Sequence, residues 1–171
     1  GCYQMLCNLL IKTDIAEDAT IEAYRRELRL RDAIATTSFR ADGVEHHREY
    51  FTPFGRGVLT ARYTTTDATN YEVSLSRPEC ATIKAWSNTP EVGLISIEGE
   101  LKSGSDKEGV SYYGQLVIET DGCVSVEGDC LRVSDATEVE FYFNAKTSYN
   151  SPKPKYIVQH LMIEDGVYRA Q

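Results

Sequence analysis

The groups in this chain best equipped for chemistry are its carboxylates, yet their spacing argues against a catalytic use. Aspartate and glutamate number 26 against 18 lysines and arginines. Two carboxyl groups flanking one bond, one protonated and one ionised, form the acid–base pair that cleaves an acetal. Here the acids mostly occupy alternate positions of strand-like runs, as Glu138 and Glu140 do, or sit in turns. That is the pattern of a solvated face, so no catalytic residue is assigned. His46 and His47 are adjacent, and in a strand they point to opposite faces and cannot chelate one ion; they read as one partly buried and one exposed strand residue. His160 is isolated. Arg25 and Arg26 lie beside Glu27, which suggests charge compensation rather than an anion site. No Gly-rich phosphate loop, nucleophile elbow or H-E-x-x-H motif occurs. Five cysteines stand at positions 2, 7, 80, 123 and 130; Cys2 and Cys7 are spaced C-x4-C, but Cys123 and Cys130 are spaced C-x6-C and complete no zinc signature, so reduced thiols are expected.

Aromatic rings are the remaining candidates, since a flat apolar ring can stack on the C–H face of a pyranose. Trp86 is the only tryptophan, and Tyr112-Tyr113 is a tyrosine pair of which one member must face outward if the segment is a strand. Trp86, Tyr112 and Tyr113 are therefore the candidate sugar-stacking residues, against the plainer reading of core packing.

The elements that must position these groups are strands. Period-two alternation dominates: Val139, Phe141 and Phe143 share one face while Glu138, Glu140 and Tyr142 share the other. Val110, Tyr112, Leu116 and Ile118 align likewise around Gly114, and Ile95, Ile97 and Leu101 do so in the preceding segment. Turn residues separate these runs at roughly ten-residue spacing, which argues for a sandwich or barrel rather than βαβ units. They include Asp42-Gly43, Phe54 to Gly57, Asn88 to Pro90, Ser103 to Asp106, Asp121-Gly122 and Gly128-Asp129. The predicted fold is all-β, an antiparallel sandwich.

A two-residue turn at Asp42-Gly43 sets a hairpin register. It places Ala41 opposite Val44, Phe39 opposite His46, Thr37 opposite Arg48 and Ala35 opposite Tyr50, with Arg40–Glu45, Ser38–His47, Thr36–Glu49 and Ile34–Phe51 on the reverse face. Phe39, Val44 and Tyr50 are expected in the core. A weak helical pattern spans Asp14 to Tyr24. The prolines at 152 and 154 break regular structure; Tyr156 to Ile163 fits a short strand or a helical turn equally well, because periodicity does not separate the two over so few residues.

Composition narrows the function classes. At 171 residues with 42% hydrophobic and 26% charged residues, the chain is most simply one globular domain. Its net charge of -8 and pI near 4.9 disfavour nucleic acid and anionic membrane surfaces as partners. No apolar run approaches the roughly 18–20 residues that span a bilayer.

Several segments then carry a family likeness. Tyr3 to Leu10 resembles the Y-Q-x-L-G-D-L segment in the N-terminal domain of α-L-fucosidases of glycoside hydrolase family 95, with Cys7-Asn8 in place of Gly-Asp. Tyr24 to Leu30 with Ala33 and Ala35 resembles Y-R-R-x-L-D-L-x-x-A, Arg29 standing where Asp is usual. Gly43-Val44 followed by Arg48 to Phe51 is similar to G-V-x-x-x-R-E-x-F. Leu75 to Glu79, Gly109 to Tyr112 and Ala145 to Asn150 also fit that domain, in order, over residues 2 to 150.

The resemblance implies a β super-sandwich over residues 1–150, lacking the family domain's opening strands, and a divergent tail at 151–171. It also implies a downstream (α/α)6 helical-barrel catalytic domain as partner. The family's acid and water-activating residues lie in that barrel, so none is carried over to this chain, which alone is expected to be inactive. Fucosylated glycans become candidate ligands, no cofactor or metal is implied, and a secreted or periplasmic parent is expected. The alternative is a free-standing carbohydrate-binding module using Trp86, Tyr112 or Tyr113.

Overall fold

A computed structural model describes residues 4–79, 81–101, 109–149 and 152–164. Ten strands and one helix follow in order: β1 (Asn8–Thr13), β2 (Ile21–Arg29), β3 (Ile34–Ala41), β4 (Val44–Phe51), β5 (Leu59–Ser76), β6 (Thr82–Thr89), β7 (Val92–Leu101), β8 (Val110–Thr120), β9 (Cys123–Glu127), β10 (Cys130–Thr147) and α1 (Pro154–Glu164). All pairings are antiparallel. The all-β antiparallel fold predicted from the alternation is the fold observed.

Two 18-residue strands, β5 and β10, build the sandwich. Their outer stretches, Leu59 to Thr64 against Glu138 to Phe143, lie in a long sheet ordered β2-β3-β4-β5-β10-β8-β7-β6. Beyond the register shifts at Val133, Ala136 and Glu138, the same two strands continue as Tyr71 to Val73 against Leu131 to Val133. There β1 joins β5 and β9 joins β10, forming a short four-stranded layer. A bulged strand bends and twists, and the bend folds the short layer back over the long sheet. At Gly93 of β7, an added Cβ would lie 2.6 Å from Leu131 Cδ1 and 2.8 Å from Val124 Cγ1, so the covering strands press directly on this glycine.

The bend is held by polar clasps. The Asp121 carboxylate accepts backbone N–H bonds from Thr137 (3.0 Å) and Glu138 (2.9 Å), and Asn70 receives the Asp135 N–H while donating its amide to Asp14. Burial works to raise the Asp121 pKa, but the hydrogen bonds from Thr137 and Glu138 together outweigh it and hold the carboxyl below its usual range.

The main core fills the space between the layers. It joins Tyr63, Val73 and Leu75 of β5, Ile95 and Ile97 of β7, Leu116 and Ile118 of β8, and Leu131, Val139 and Phe141 of β10. A second, smaller core lies on the opposite side of the long sheet. There Val158 and Met162 of α1 pack on Leu94, Tyr113 and Val117. The long sheet thus has an inner face under the short layer and an outer face partly under the helix, and β8 is buried on both from Tyr112 to Ile118.

The hairpin register agrees from Ala41–Val44 to Ala35–Tyr50. Phe39 is buried and Val44 and Tyr50 half-buried, while His46 is buried and His47 exposed. The helical expectation over Asp14 to Tyr24 is corrected: an Ala16–Ala19 turn leads into β2 at Ile21. With no continuous apolar stripe to bury, that segment gains more from pairing with β3 and from the Thr20 N–H bond to Asp42 Oδ1. The ambiguous run after Pro154 is a helix. Cys7, Cys123 and Cys130 are free thiols; Cys2, Cys80 and the turn at Ser103 to Asp106 lie outside the described residues.

Candidate functional site

Segments far apart in sequence meet at one end of the sandwich in a groove of about 380 Å³. Gln4 and Leu6 come from the N-terminal segment, Arg77 from the end of β5, Tyr112 from β8, and Lys146 and Thr147 from the end of β10. Each belongs to one of the segments that carry the family likeness, so four of those six segments converge here. Arg77 organises the groove. Its guanidinium lies 4.8 Å above the Tyr112 ring and donates to the Leu6 carbonyl (2.7 Å), the Met5 carbonyl, the Gln4 side-chain oxygen (3.1 Å) and the Glu79 carbonyl (3.1 Å). One planar, multiply donating cation therefore ties the N-terminal segment to the sandwich. Nearby Cys7 has its pKa raised by burial, against the opposing charge of Arg77. Among the described residues the lining of the groove holds no carboxylate, histidine or cysteine, so these residues can bind and position but supply no acid–base pair. No group of three or more His, Cys, Asp or Glu suited to a metal ion occurs among the described residues.

The remaining likeness segments meet in a wing formed by β2, β3 and β4. Its two faces differ. The outer face carries the ion pairs Arg25–Glu27 at 2.6 Å and Arg40–Glu45 at 2.7 Å, and His47 Nε2 lies 3.4 Å from the Glu49 carboxylate. The inner face continues the core face of the long sheet. Phe39 stacks on His46 at 4.8 Å, and Arg48 lies 5.2 Å over Phe39 and 4.8 Å over Tyr63 while donating to the Thr13 hydroxyl at 3.1 Å. Tyr50 and Tyr63 share a 2.8 Å hydroxyl hydrogen bond, and burial pushes the Tyr63 pKa far up.

The three rings singled out from sequence fall differently. Tyr112 is 3% exposed, beneath Arg77, and Tyr113 is 2% exposed on the outer face. The Tyr113 hydroxyl donates to Gln115 Oε1 (3.1 Å), and Lys155 of α1 sits 5.4 Å over its ring. Trp86 is half-buried beside the second core. The structure does not bring the three onto one platform. The sequence reading missed Arg77 as an organiser and Arg48 as the cation between two rings, although both lie in the likeness segments.

A family model described as glycosyl hydrolase family 65, N-terminal domain, matches residues 1–152. The chain belongs to that family. No curated protein matches it. The glycoside hydrolase N-terminal β-domain expected from the motifs is thus the one found, but the matching model is family 65 and not family 95. The motifs explain this outcome: they mark strand ends, turns and the Arg77 clasp of a β-domain, features of an N-terminal domain that do not carry the chemistry of one family. As an N-terminal domain of a glycoside hydrolase, the chain implies a catalytic domain as its partner. No helix among the described residues is long and apolar enough to cross a membrane.

Proposed function

We propose that this chain is the accessory N-terminal β-domain of an α-L-fucosidase-type glycoside hydrolase, packed against a catalytic helical barrel and inactive without it. The family match over residues 1–152 supports the accessory role. So does a groove assembled from the likeness segments with no carboxylate among the described residues of its lining, because inverting hydrolysis requires two placed carboxyl groups. The fucosidase assignment rests on the ordered motifs from Tyr3 to Asn150. Sugar binding by the domain itself would fall to Trp86, since neither Tyr112 nor Tyr113 offers a ring face to solvent.

The deciding experiment compares hydrolysis of an aryl α-L-fucoside by this chain and by a longer chain extended through the catalytic domain. Activity only in the longer chain is expected. Activity in the short chain, abolished by substituting one of its own carboxylates, would place the chemistry here instead. A longer chain that hydrolyses other aryl glycosides but not the fucoside would overturn the substrate class alone.

A further inference from the structure

Along β2, the wing's inner face is an apolar surface lying beyond the contact that Arg48 makes with Thr13 of the short layer. Tyr24 is 60% exposed, Leu28 62% and Leu30, in the turn after β2, 85%. Ile21 extends the patch along β2, where it pairs with Ala41. Leu28 pairs with Ala35, which pairs in turn with Tyr50, so these three side chains share the inner face. Together with Arg26, Thr36, Thr37 and Glu27, whose carboxylate is held by Arg25, they line a depression of about 290 Å³. Water-exposed apolar rows on a sheet face otherwise ion-paired on its reverse side mark a contact surface.

Charge says what covers it. The chain carries -8 overall, yet Tyr24 to Arg31 holds four arginines and one glutamate. Arg25 is paired to Glu27 and Arg29 to Asp32, whereas the side chains of Arg26 and Arg31 take part in no ion pair or hydrogen bond among the described residues. A second copy is a poor occupant, because a two-fold contact brings the same patch together and opposes arginine to arginine. Strand addition to the β2 edge is also poor: a bulge between Glu22 and Arg25 distorts that edge, a device that blunts such pairing.

We propose that this face seats the catalytic domain, through a surface on that domain that presents a carboxylate beside an apolar side chain. The apolar group enters the depression over Ala35 and Tyr50, and the carboxylate meets Arg26. This rests on the accessory-domain reading.

Hydroxyl-radical footprinting of the short chain and of the chain extended through the catalytic domain tests it, alongside aryl glycoside hydrolysis. Tyr24 and Leu28 are expected to be labelled in the short chain and protected several-fold in the long one, with Phe54 labelled equally in both. Arg26→Glu in the long chain is expected to restore the labelling, while Arg25→Glu on the outer face leaves the protection in place. Hydrolysis by the long chain with Tyr24 and Leu28 fully labelled would overturn the docking face and leave the accessory role standing. Protection with no hydrolysis of any aryl glycoside would support the face and count against the glycosidase reading. Protection that survives Arg26→Glu would remove the carboxylate from the proposal.

Discussion

His46 is a histidine whose burial has a cost that depends on pH. It is 4% exposed and stacked on Phe39. Burial, reinforced by the Arg48 charge and opposed by Asp14, lowers its pKa from the ordinary 6.5. As pH falls the unfolded chain therefore takes up the proton first. The contribution of His46 is complete above about pH 6.5, declines between the unfolded value and the lower folded one, and is flat below. Urea midpoints measured from pH 8 to pH 5 should fall across that window, and His46→Gln should flatten the fall. An unchanged slope in the variant would shift the effect to other groups. Histidine burial of this kind was legible in the sequence, because Asp42-Gly43 fixes the register and the register puts His46 and Phe39 on one face. Arg48 was not legible: an arginine alternating with apolar residues reads as a polar intrusion until two rings are seen on either side of it.

At the scale of elements, the bend in β10 and the docking of α1 carry the architecture. Gly122 stands where an added Cβ would meet the Ser134 carbonyl oxygen at 2.3 Å and the Ala136 nitrogen at 2.9 Å. Both are backbone atoms of the bent strand and have no rotamer by which to move. Gly122→Ala should cost at least about 2 kcal/mol, read as a lowered urea midpoint. Met162 is fully buried against the outer face, so Met162→Ala should cost roughly 2–4 kcal/mol, while Lys153→Ala, an exposed position, should leave the midpoint unchanged. Equal effects would mean that α1 does not dock in solution. Alternation revealed that Tyr112 and Tyr113 face opposite ways, but it says nothing of what lies above each face. That is why one of the pair looked free: the cover over Tyr113 is a helix whose short apolar run has no diagnostic period, and the cover over Tyr112 is the side chain of Arg77.

For the whole molecule, sharing β5 and β10 between both layers leaves no place where the sandwich can part. Neither layer keeps its central strands if the other unfolds, so unfolding should be a single transition. Trp86 fluorescence, reporting on the end strand of the long sheet, and far-UV circular dichroism should give coincident urea curves. Separate midpoints would show that the wing or the short layer opens independently. Turn spacing predicted a sandwich of strands near ten residues, and the chain is one. The full length of β10 was hidden because the irregular stretch from Val133 to Glu138 interrupts the alternation.

The two long strands also govern the order in which this chain can become a protein. β5 is complete at Ser76, but its main neighbour begins only at Cys130. During synthesis, β5 emerges with β1 and β4 beside it and one backbone edge empty. β7 and β8 can pair with each other, yet they have nothing to join them to β5. Closing the molecule must wait for the end of β10, and then spans a loop of more than fifty residues in one step. Long-range strand pairing of this kind is slow, since loop entropy is lost before contacts repay it. The interval is also a time of risk, because a nascent chain shows Tyr63, Val73 and Leu75 to the cell until β10 arrives. β10 is thus the strand that turns a set of hairpins into a single core.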